Sequence, residues 1–253
     1  MAALAGHHAV VTGGGRGIGR AIAHTLSHAG AAVTVVGRTE APLKETVARG
    51  DAADYAVADV TDPASIDAAI RRAGDRRGPI SILVANAGGA ESAAFEKSSP
   101  DLFRRMFEVN TIGAVHAIQA VLGGMLARKF GRIIAVASTA GLKGYGYVSA
   151  YCAAKHAVVG LVRALAAETI KSGVTVNAVC PGYTDTDLVG ASLDRIVAAT
   201  GRSREDALAG MLRGTPLGRL IKPEEVAAAV LFLCLPESAA ITGTALPIAG
   251  GEI

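Results

Sequence analysis

The chain has 253 residues, of which 51% are hydrophobic and 19% are charged, and its formal net charge is +3. This length and apolar content suit one large α/β domain or two small ones, and they exclude an intrinsically disordered chain. No run of Lys or Arg exceeds two residues, so the composition predicts no nucleic-acid partner.

The cysteines and the amino-terminal sequence indicate the cellular compartment in which the protein is expected. Cys152, Cys180 and Cys234 are far apart and form no CxxC pair, which argues against a disulfide framework and against a zinc site. The amino-terminal residues carry no charged region ahead of an apolar run, and no segment has about 18 uninterrupted apolar residues. We therefore expect a soluble cytoplasmic protein with no membrane partner.

Short apolar stretches alternate with longer helical patterns along the whole chain. The predicted strands cover residues 8–12, 31–37, 54–60, 80–88, 131–138, 174–182 and 244–250. Runs such as "ILVA" and "IIAVA" are apolar on both faces, as in parallel strands covered by helices on each side. The alternation predicts an α/β fold, a doubly wound parallel sheet (Rossmann fold) of about seven strands, in a single domain spanning 1–253.

Two stretches interrupt this alternation. Residues 139–150 form a Gly-rich loop after a predicted strand, and residues 183–216 read as a helical insertion. Ligands of open parallel sheets bind at the carboxyl ends of the strands. Both stretches are therefore candidate walls of a pocket.

The sequence "TGGGRGIG", Thr12 to Gly19, follows the first strand and opens a helix. Gly13 permits a tight turn, while Gly17 and Gly19 let the backbone and the helix N-terminus approach a pyrophosphate closely. The spacing is TGxxxGxG, and its place at the first strand–helix junction favours a dinucleotide site. A glycine-rich turn without a ligand is the alternative.

The end of the second strand indicates which dinucleotide would bind. A carboxylate there would favour NAD, but this chain has Gly37 followed by Arg38, and a guanidinium suits the 2′-phosphate of NADP. Arg16 in the glycine loop could add a second positive charge. NADP(H) is therefore favoured over NAD(H), unless Arg38 is only a solvated loop residue.

Tyr151 and Lys155, in "YCAAK", lie four residues apart and would share one face of a helix. Ser138 ends the strand before them, and Asn110 stands in "EVNTIG". Cys152, next to Tyr151, would point elsewhere on the helix and pack. No metal site is predicted, since His24 and His28 have a metal-compatible spacing but no third ligand.

Together with "ADV" at 58–60, "NAG" at 86–88 and "PGYTDT" at 181–186, these motifs occur in the order and spacing of one family. Over essentially its whole length the chain resembles the short-chain dehydrogenase/reductase family, and within it the 3-oxoacyl-[acyl-carrier-protein]/CoA reductases and polyketide ketoreductases. One departure is Ala85, where the family often has Asn.

The resemblance implies roles for four catalytic residues. Tyr151 would be the general acid, and Lys155 would lower the pKa of the phenol and hydrogen-bond the nicotinamide ribose. Ser138 would hold the carbonyl oxygen, and Asn110 would position a water that connects Lys155 to solvent.

The resemblance also implies the cofactor site, in which Thr186 would contact the carboxamide and Asp59 and Val60 would flank the adenine. The expected cofactor-binding residues are Gly13, Gly15, Arg16, Gly17, Ile18, Gly19, Arg38, Asp59, Val60, Asn86, Ala87, Gly88, Tyr151, Lys155, Pro181, Gly182, Thr184 and Thr186.

The resulting hypothesis is an NADPH-dependent carbonyl reductase acting on a 3-oxoacyl thioester or a related small ketone. The long insertion leaves open an NAD-dependent 3-hydroxyacyl-CoA or hydroxy-acid dehydrogenase that runs in the oxidative direction. A non-catalytic cofactor sensor is disfavoured, because such proteins lose the tyrosine or the lysine. Apolar residues on more than one face of the helical patterns 101–128 and 150–171, together with the resemblance, predict a homotetramer.

Overall fold

The structure is a computed structural model, and it describes residues 2–253. One sheet contains seven strands: β1 (His8–Thr12), β2 (Ala32–Gly37), β3 (Asp54–Val57), β4 (Ile80–Ala85), β5 (Gly131–Val136), β6 (Val174–Pro181) and β7 (Ala245–Ile248). All neighbouring strands pair in parallel, in the order β3-β2-β1-β4-β5-β6-β7. The predicted doubly wound sheet is confirmed.

Several strands end two or three residues earlier than predicted. β3 stops at Val57, opposite Gly37, because β2 ends there and offers no further ladder partner. In the middle of the sheet, Ala85, Ala135 and Ala178 lie level on three adjacent strands. The residues that follow them therefore leave the sheet together and form one edge, where ligands of such folds bind.

Nine helices flank the sheet within residues 2–253. They are α1 (Gly17–His28), α2 (Glu40–Ala48), α3 (Pro63–Arg77), α4 (Pro100–Phe107), α5 (Gly113–Arg128), α6 (Ser149–Thr169), α7 (Asp187–Thr200), α8 (Arg204–Leu212) and α9 (Pro223–Cys234). Side chains of α1, α2 and α9 pack in the core on one face of the sheet. Those of α3, α5 and α6 pack on the other face, which gives each face its own apolar core.

The helical pattern predicted over 101–128 is interrupted. A π-helical turn over Glu108–Ile112 separates α4 from α5. The side-chain nitrogen of Asn110 donates to Met106 O at 3.0 Å and to Gly89 O at 2.9 Å, and the residue is 2% exposed. Turns of this type are frequent at functional sites, and this one holds Asn110 at the carboxyl edge of the sheet.

Two helical segments, Pro100–Arg128 and Ser149–Ser172, are long and apolar enough to cross a membrane by length and composition. In this structure 44% and 50% of their most apolar windows are buried inside the protein. Val121 of α5 and Val162 of α6 belong to the core that covers the sheet. Packing against the sheet therefore accounts for much of their apolar character.

Candidate active site

A cleft of about 330 Å³ runs along the carboxyl edge of the sheet. It brings together sixteen of the predicted site residues: Gly13, Arg16, Gly17, Ile18, Gly19, Asn86, Ala87, Gly88, Asn110, Ser138, Tyr151, Lys155, Pro181, Gly182, Thr184 and Thr186. Gly15, Arg38, Asp59 and Val60 lie outside its lining. Two of them, Arg38 and Asp59, follow the ends of β2 and β3, on the side where the adenosine half of a dinucleotide would extend.

The glycine loop is folded too tightly for side chains. Gly13 has φ +66°, and a Cβ placed there would lie 2.8 Å from Asn86 Nδ2. A Cβ on Gly19 would lie 2.2 Å from Gly13 O. Asn86 Nδ2 in turn donates to Thr12 O at 2.9 Å. Asn86 therefore supports the loop, which explains its place beside the predicted cofactor.

The first turn of α1 fits an anion. Arg16 precedes the helix without capping it through its side chain, and the first turn holds no acidic residue. The amide groups and the positive end of the helix dipole at Gly17 are therefore left for another partner. A pyrophosphate supplies that charge and those acceptors, so the loop fits the dinucleotide that the sequence predicts.

Arg16, in the glycine loop, and Arg38, directly after β2, have no acidic partner within salt-bridge distance among residues 2–253. Arg16 and Arg38 are exposed, and neither forms an ion pair or a side-chain hydrogen bond with the described residues. Glu40, two residues after Arg38, is engaged by Lys44 at 3.2 Å and by the Tyr55 hydroxyl at 3.0 Å. An unpaired guanidinium directly after Gly37, as at Arg38, fits a phosphate better than a ribose diol.

Asp59 shapes the turn after β3. Its Oδ1 accepts from Thr61 N at 3.0 Å and from Thr61 Oγ1 at 2.9 Å. The Thr61 amide and, more weakly, the Arg38 guanidinium lower the pKa of Asp59. The carboxylate is therefore held in its ionised form near Arg38.

The four predicted catalytic residues meet at the middle of the cleft. Tyr151 and Lys155 lie on α6, and Lys155 Nζ is 5.7 Å from the centroid of the Tyr151 ring. Ser138 Oγ accepts from Ala140 N at 3.1 Å, which fixes the serine just after β5. A Cβ on Gly88 would lie 2.6 Å from Asn110 Oδ1 and 3.6 Å from Lys155 Nζ, so only glycine fits between them.

A family described as short chain dehydrogenase matches residues 7–196 of this sequence. The chain belongs to the short-chain dehydrogenase/reductase family. A Streptomyces violaceoruber protein named as ketoacyl reductase 1 of the granaticin polyketide synthase is 39% identical, over 96% of this chain and 92% of its own. The 3-oxoacyl-[acyl-carrier-protein] reductase of Vibrio harveyi is 38% identical, over 98% of both chains. A crystal structure of a variant actinorhodin polyketide ketoreductase with NADPH superposes with a TM-score of 0.93 at 36% identity, over 97% of both chains.

This short-chain dehydrogenase/reductase is therefore an oxidoreductase, and the protein shifts the pKa values of both its partly buried Tyr151 and its buried Lys155. Burial raises the pKa of Tyr151 to about 12, and the hydrogen bond with Ser138 offsets part of that rise. Burial lowers the pKa of Lys155 to about 8. The pKa of the phenol is thus raised in this structure, with desolvation as the largest cause, and its lowering by Lys155 stays a prediction. Lys155 Nζ donates to Val136 O at 2.8 Å.

The cleft of this oxidoreductase also contains residues that the sequence motifs do not identify. These are Gly89, Val136, Ala137, Asp187, Leu188 and Val189. Leu188 and Val189 lie at the start of α7, so the insertion contributes an apolar wall. Two neighbouring apolar residues at the start of a helix do not by themselves identify a binding site. They become recognisable as lining residues only from the position of α7 over the cleft.

The histidine pair of α1 is engaged locally. His24 Nδ1 lies 2.6 Å from Asp51 Oδ1, and His28 Nδ1 donates to His24 O at 2.9 Å. Within residues 2–253 no three His, Cys, Asp or Glu side chains are arranged to hold a metal ion.

Proposed function

We propose that this enzyme reduces a ketone to a secondary alcohol with NADPH. The observation that carries the proposal is the single cleft in which a glycine loop shaped for a pyrophosphate leads to Ser138, Tyr151 and Lys155. The first part would hold a dinucleotide, and the second supplies a hydrogen-bond donor and a proton donor for a carbonyl oxygen. Neither part alone would specify a reductase.

NADPH, when bound, supplies a hydride to the carbonyl carbon. The Ser138 hydroxyl would hold and polarise the carbonyl oxygen, and Tyr151 would transfer its phenolic proton to that oxygen as negative charge develops there. A tyrosine with a pKa of about 12 is fully protonated at neutral pH, as a general acid must be. Lys155, still mostly cationic at neutral pH, would stabilise the phenolate that remains.

The proton that Tyr151 gives to the substrate must be replaced from solvent before the next turnover. Asn110, held by Met106 O and Gly89 O, lies beside Gly88, and a Cβ built on Gly88 would also be 3.6 Å from Lys155 Nζ. We infer that it supports the route by which Tyr151 regains its proton from solvent.

For the cofactor we infer NADP(H), because Arg38 is unpaired directly after β2 and Gly37 offers no carboxylate for a ribose diol. Arg16 in the glycine loop adds a second unpaired positive charge. For the substrate we infer a 3-oxoacyl thioester or a related ketone. The relatives named as ketoacyl and 3-oxoacyl-[acyl-carrier-protein] reductases support this class. The apolar residues Leu188 and Val189 in the cleft would suit an acyl chain.

We also propose a cytoplasmic homotetramer made of single-domain chains in which residues 183–216 cover the substrate side. Leu122 of α5 and Leu161 of α6 are only partly buried within one chain. Burying those faces against a second copy would remove apolar surface from water.

The test is to measure initial rates of acetoacetyl-CoA reduction with NADPH and with NADH, beside 3-hydroxybutyryl-CoA oxidation with NAD. We expect NADPH-dependent reduction to be fastest. Fastest turnover in the NAD-dependent oxidation would contradict the proposal and favour the oxidative dehydrogenase. The Tyr151→Phe variant, purified in parallel, identifies any activity that does not come from this site.

A further inference from the structure

A buried carboxylate lies behind the substrate side of the cleft. Glu252 belongs to the segment that follows β7, and its side chain is only 4% exposed. Gly250 and Gly251 have φ +58° and +85°, which turns the segment back toward the cleft. Leu217 N donates to Gly250 O at 3.0 Å and fixes this turn against the connection that follows α8. The turn thus carries a charged side chain into the protein interior.

One oxygen of this carboxylate is bound to the Gly-rich loop. Glu252 Oε1 accepts from the Tyr145 hydroxyl at 2.6 Å and from Lys143 Nζ at 3.1 Å. The Tyr145 oxygen also lies 2.7 Å from Thr139 Oγ1. A phenol has one proton, which Tyr145 gives to the carboxylate, so Thr139 donates to the phenol oxygen. A chain of hydrogen bonds therefore runs from Thr139 through Tyr145 to Glu252, and Thr139 is the residue directly after Ser138.

The other oxygen faces the end of β6. Glu252 Oε2 is buried and has no hydrogen-bond partner among the described residues. It is the heavy atom nearest to a Cβ placed on Gly182, at 3.2 Å, and Gly182 lines the cleft. The carboxylate therefore lies between the Gly-rich loop, bound by one oxygen, and the end of β6, next to the other.

We propose that Glu252 is a positioning residue. It holds residues 139–148, the part of the Gly-rich loop that precedes α6, against the end of β6, and so sets the width of the cleft at the substrate. The inference rests on the proposed reductase function, but it assigns a residue that no sequence motif identifies. Tyr183, next to Gly182, meets the Tyr145 ring edge-on with the ring centroids 6.2 Å apart. Loss of the carboxylate would remove the hydrogen bond that holds Tyr145, and with it the support for this ring contact.

The hydrogen bond between Tyr145 and Glu252 is present throughout the neutral range. Burial, and then the hydrogen bond to Glu252, raise the pKa of Tyr145 well above its ordinary value. The phenol therefore stays protonated and donates to the carboxylate wherever the enzyme is active. Lys143 Nζ, which also donates to Glu252 O at 3.3 Å, faces the Tyr145 ring at 5.0 Å and closes the cluster.

The activity experiment compares Glu252→Ala and Glu252→Gln with Glu237→Ala, which alters an exposed glutamate without an ion pair. With acetoacetyl-CoA and NADPH we expect Glu252→Ala to raise KM about tenfold. A change of that size corresponds to the loss of roughly one charge-assisted hydrogen bond. We expect kcat and the Kd of NADPH to stay within twofold. Glu252→Gln should recover most of the KM, because its amide oxygen still accepts from Tyr145. Combining Glu252→Ala with Tyr145→Phe should add little to the larger single effect.

A second measurement needs no substrate. Hydrogen exchange followed by mass spectrometry should show faster exchange in residues 139–148 of Glu252→Ala, and no such change in Glu237→Ala. Unchanged exchange in that loop would overturn the inference, as would equal increases over the whole chain, which indicate a general loss of stability. An unchanged KM in an active Glu252→Ala enzyme would also overturn it. If the wild type reduces no ketone, the proposed function fails, and loop exchange alone decides whether Glu252 holds the loop.

Discussion

Replacing Gly19 with Ala should disable the dinucleotide site through a single methyl group. The new Cβ would lie 2.2 Å from Gly13 O and 2.6 Å from Asn86 Nδ2. Non-bonded heavy atoms pack at about 3.5–4.0 Å, so the glycine loop must move by roughly 1 Å or more. Overpacking of this kind costs about 1–3 kcal/mol, which for a chain of this length corresponds to a fall in Tm of about 2–12 °C.

The same displacement should weaken NADPH more than it weakens the fold. Moving the loop misplaces the amides at the start of α1, and losing one hydrogen bond to a charged group costs about 1.5–3 kcal/mol, or roughly 10- to 150-fold in Kd. NADPH fluorescence titration and thermal unfolding followed by circular dichroism measure the two effects. Gly74→Ala is the matched control, because a Cβ at that position of α3 meets nothing within 4 Å. A Gly19→Ala protein that binds NADPH within twofold of wild type would refute the reasoning.

Four further predictions concern chemistry, cofactor choice, pH and assembly. Tyr151→Phe removes the transferable proton but keeps the ring, so kcat should fall by about 10²–10⁴-fold with little change in NADPH affinity; retention of a tenth of the activity would contradict the role. Arg38→Ala should weaken NADPH by roughly 10- to 100-fold and leave NADH nearly unchanged in the same titration, and equal losses for both cofactors would contradict the 2′-phosphate contact. The pKa of Lys155 is lowered to about 8, so its charge is present below that pH and lost above it; kcat for reduction should decline as pH rises through about 8, and a flat profile to pH 9.5 would exclude a role for the charge. Light scattering should give about four times the 25.5 kDa of one chain for the active enzyme, and a mass of one chain would exclude the tetramer.

The strands were predictable because each is a local pattern. Buried parallel strands are continuous apolar runs, and β1, β4 and β6 are directly followed by Gly13, Asn86 and Gly182, residue types that are rare inside strands. The meeting of Ser138, Tyr151 and Lys155 also follows from the order of motifs, because parallel strands bring their carboxyl ends to one edge. The sequence resemblance supplied the roles of these residues.

Features that depend on distant contacts could not be predicted. The direction of the Tyr151 pKa shift depends mainly on the desolvation of the phenol, which the spacing of "YCAAK" does not determine. The support that Asn86 gives to the glycine loop joins residues more than seventy positions apart. The contact between Tyr145 and Glu252 joins residues 107 positions apart, and neither belongs to a motif.

The π-helical turn at Glu108–Ile112 makes the protein sensitive to the deletion of a single residue at that place in the chain. Leu102 and Met106 of α4 pack against Ala150 and Ala154 of α6, the helix that carries Tyr151 and Lys155. Deleting a single residue within the turn would restore an ordinary helix and leave α4 and α5 almost unrotated, because the wider π turn already absorbs the extra residue. The deletion would instead move Asn110 away from Gly89 O and Met106 O. In a deletion library, single-residue losses in this turn should therefore keep the fold but lower activity.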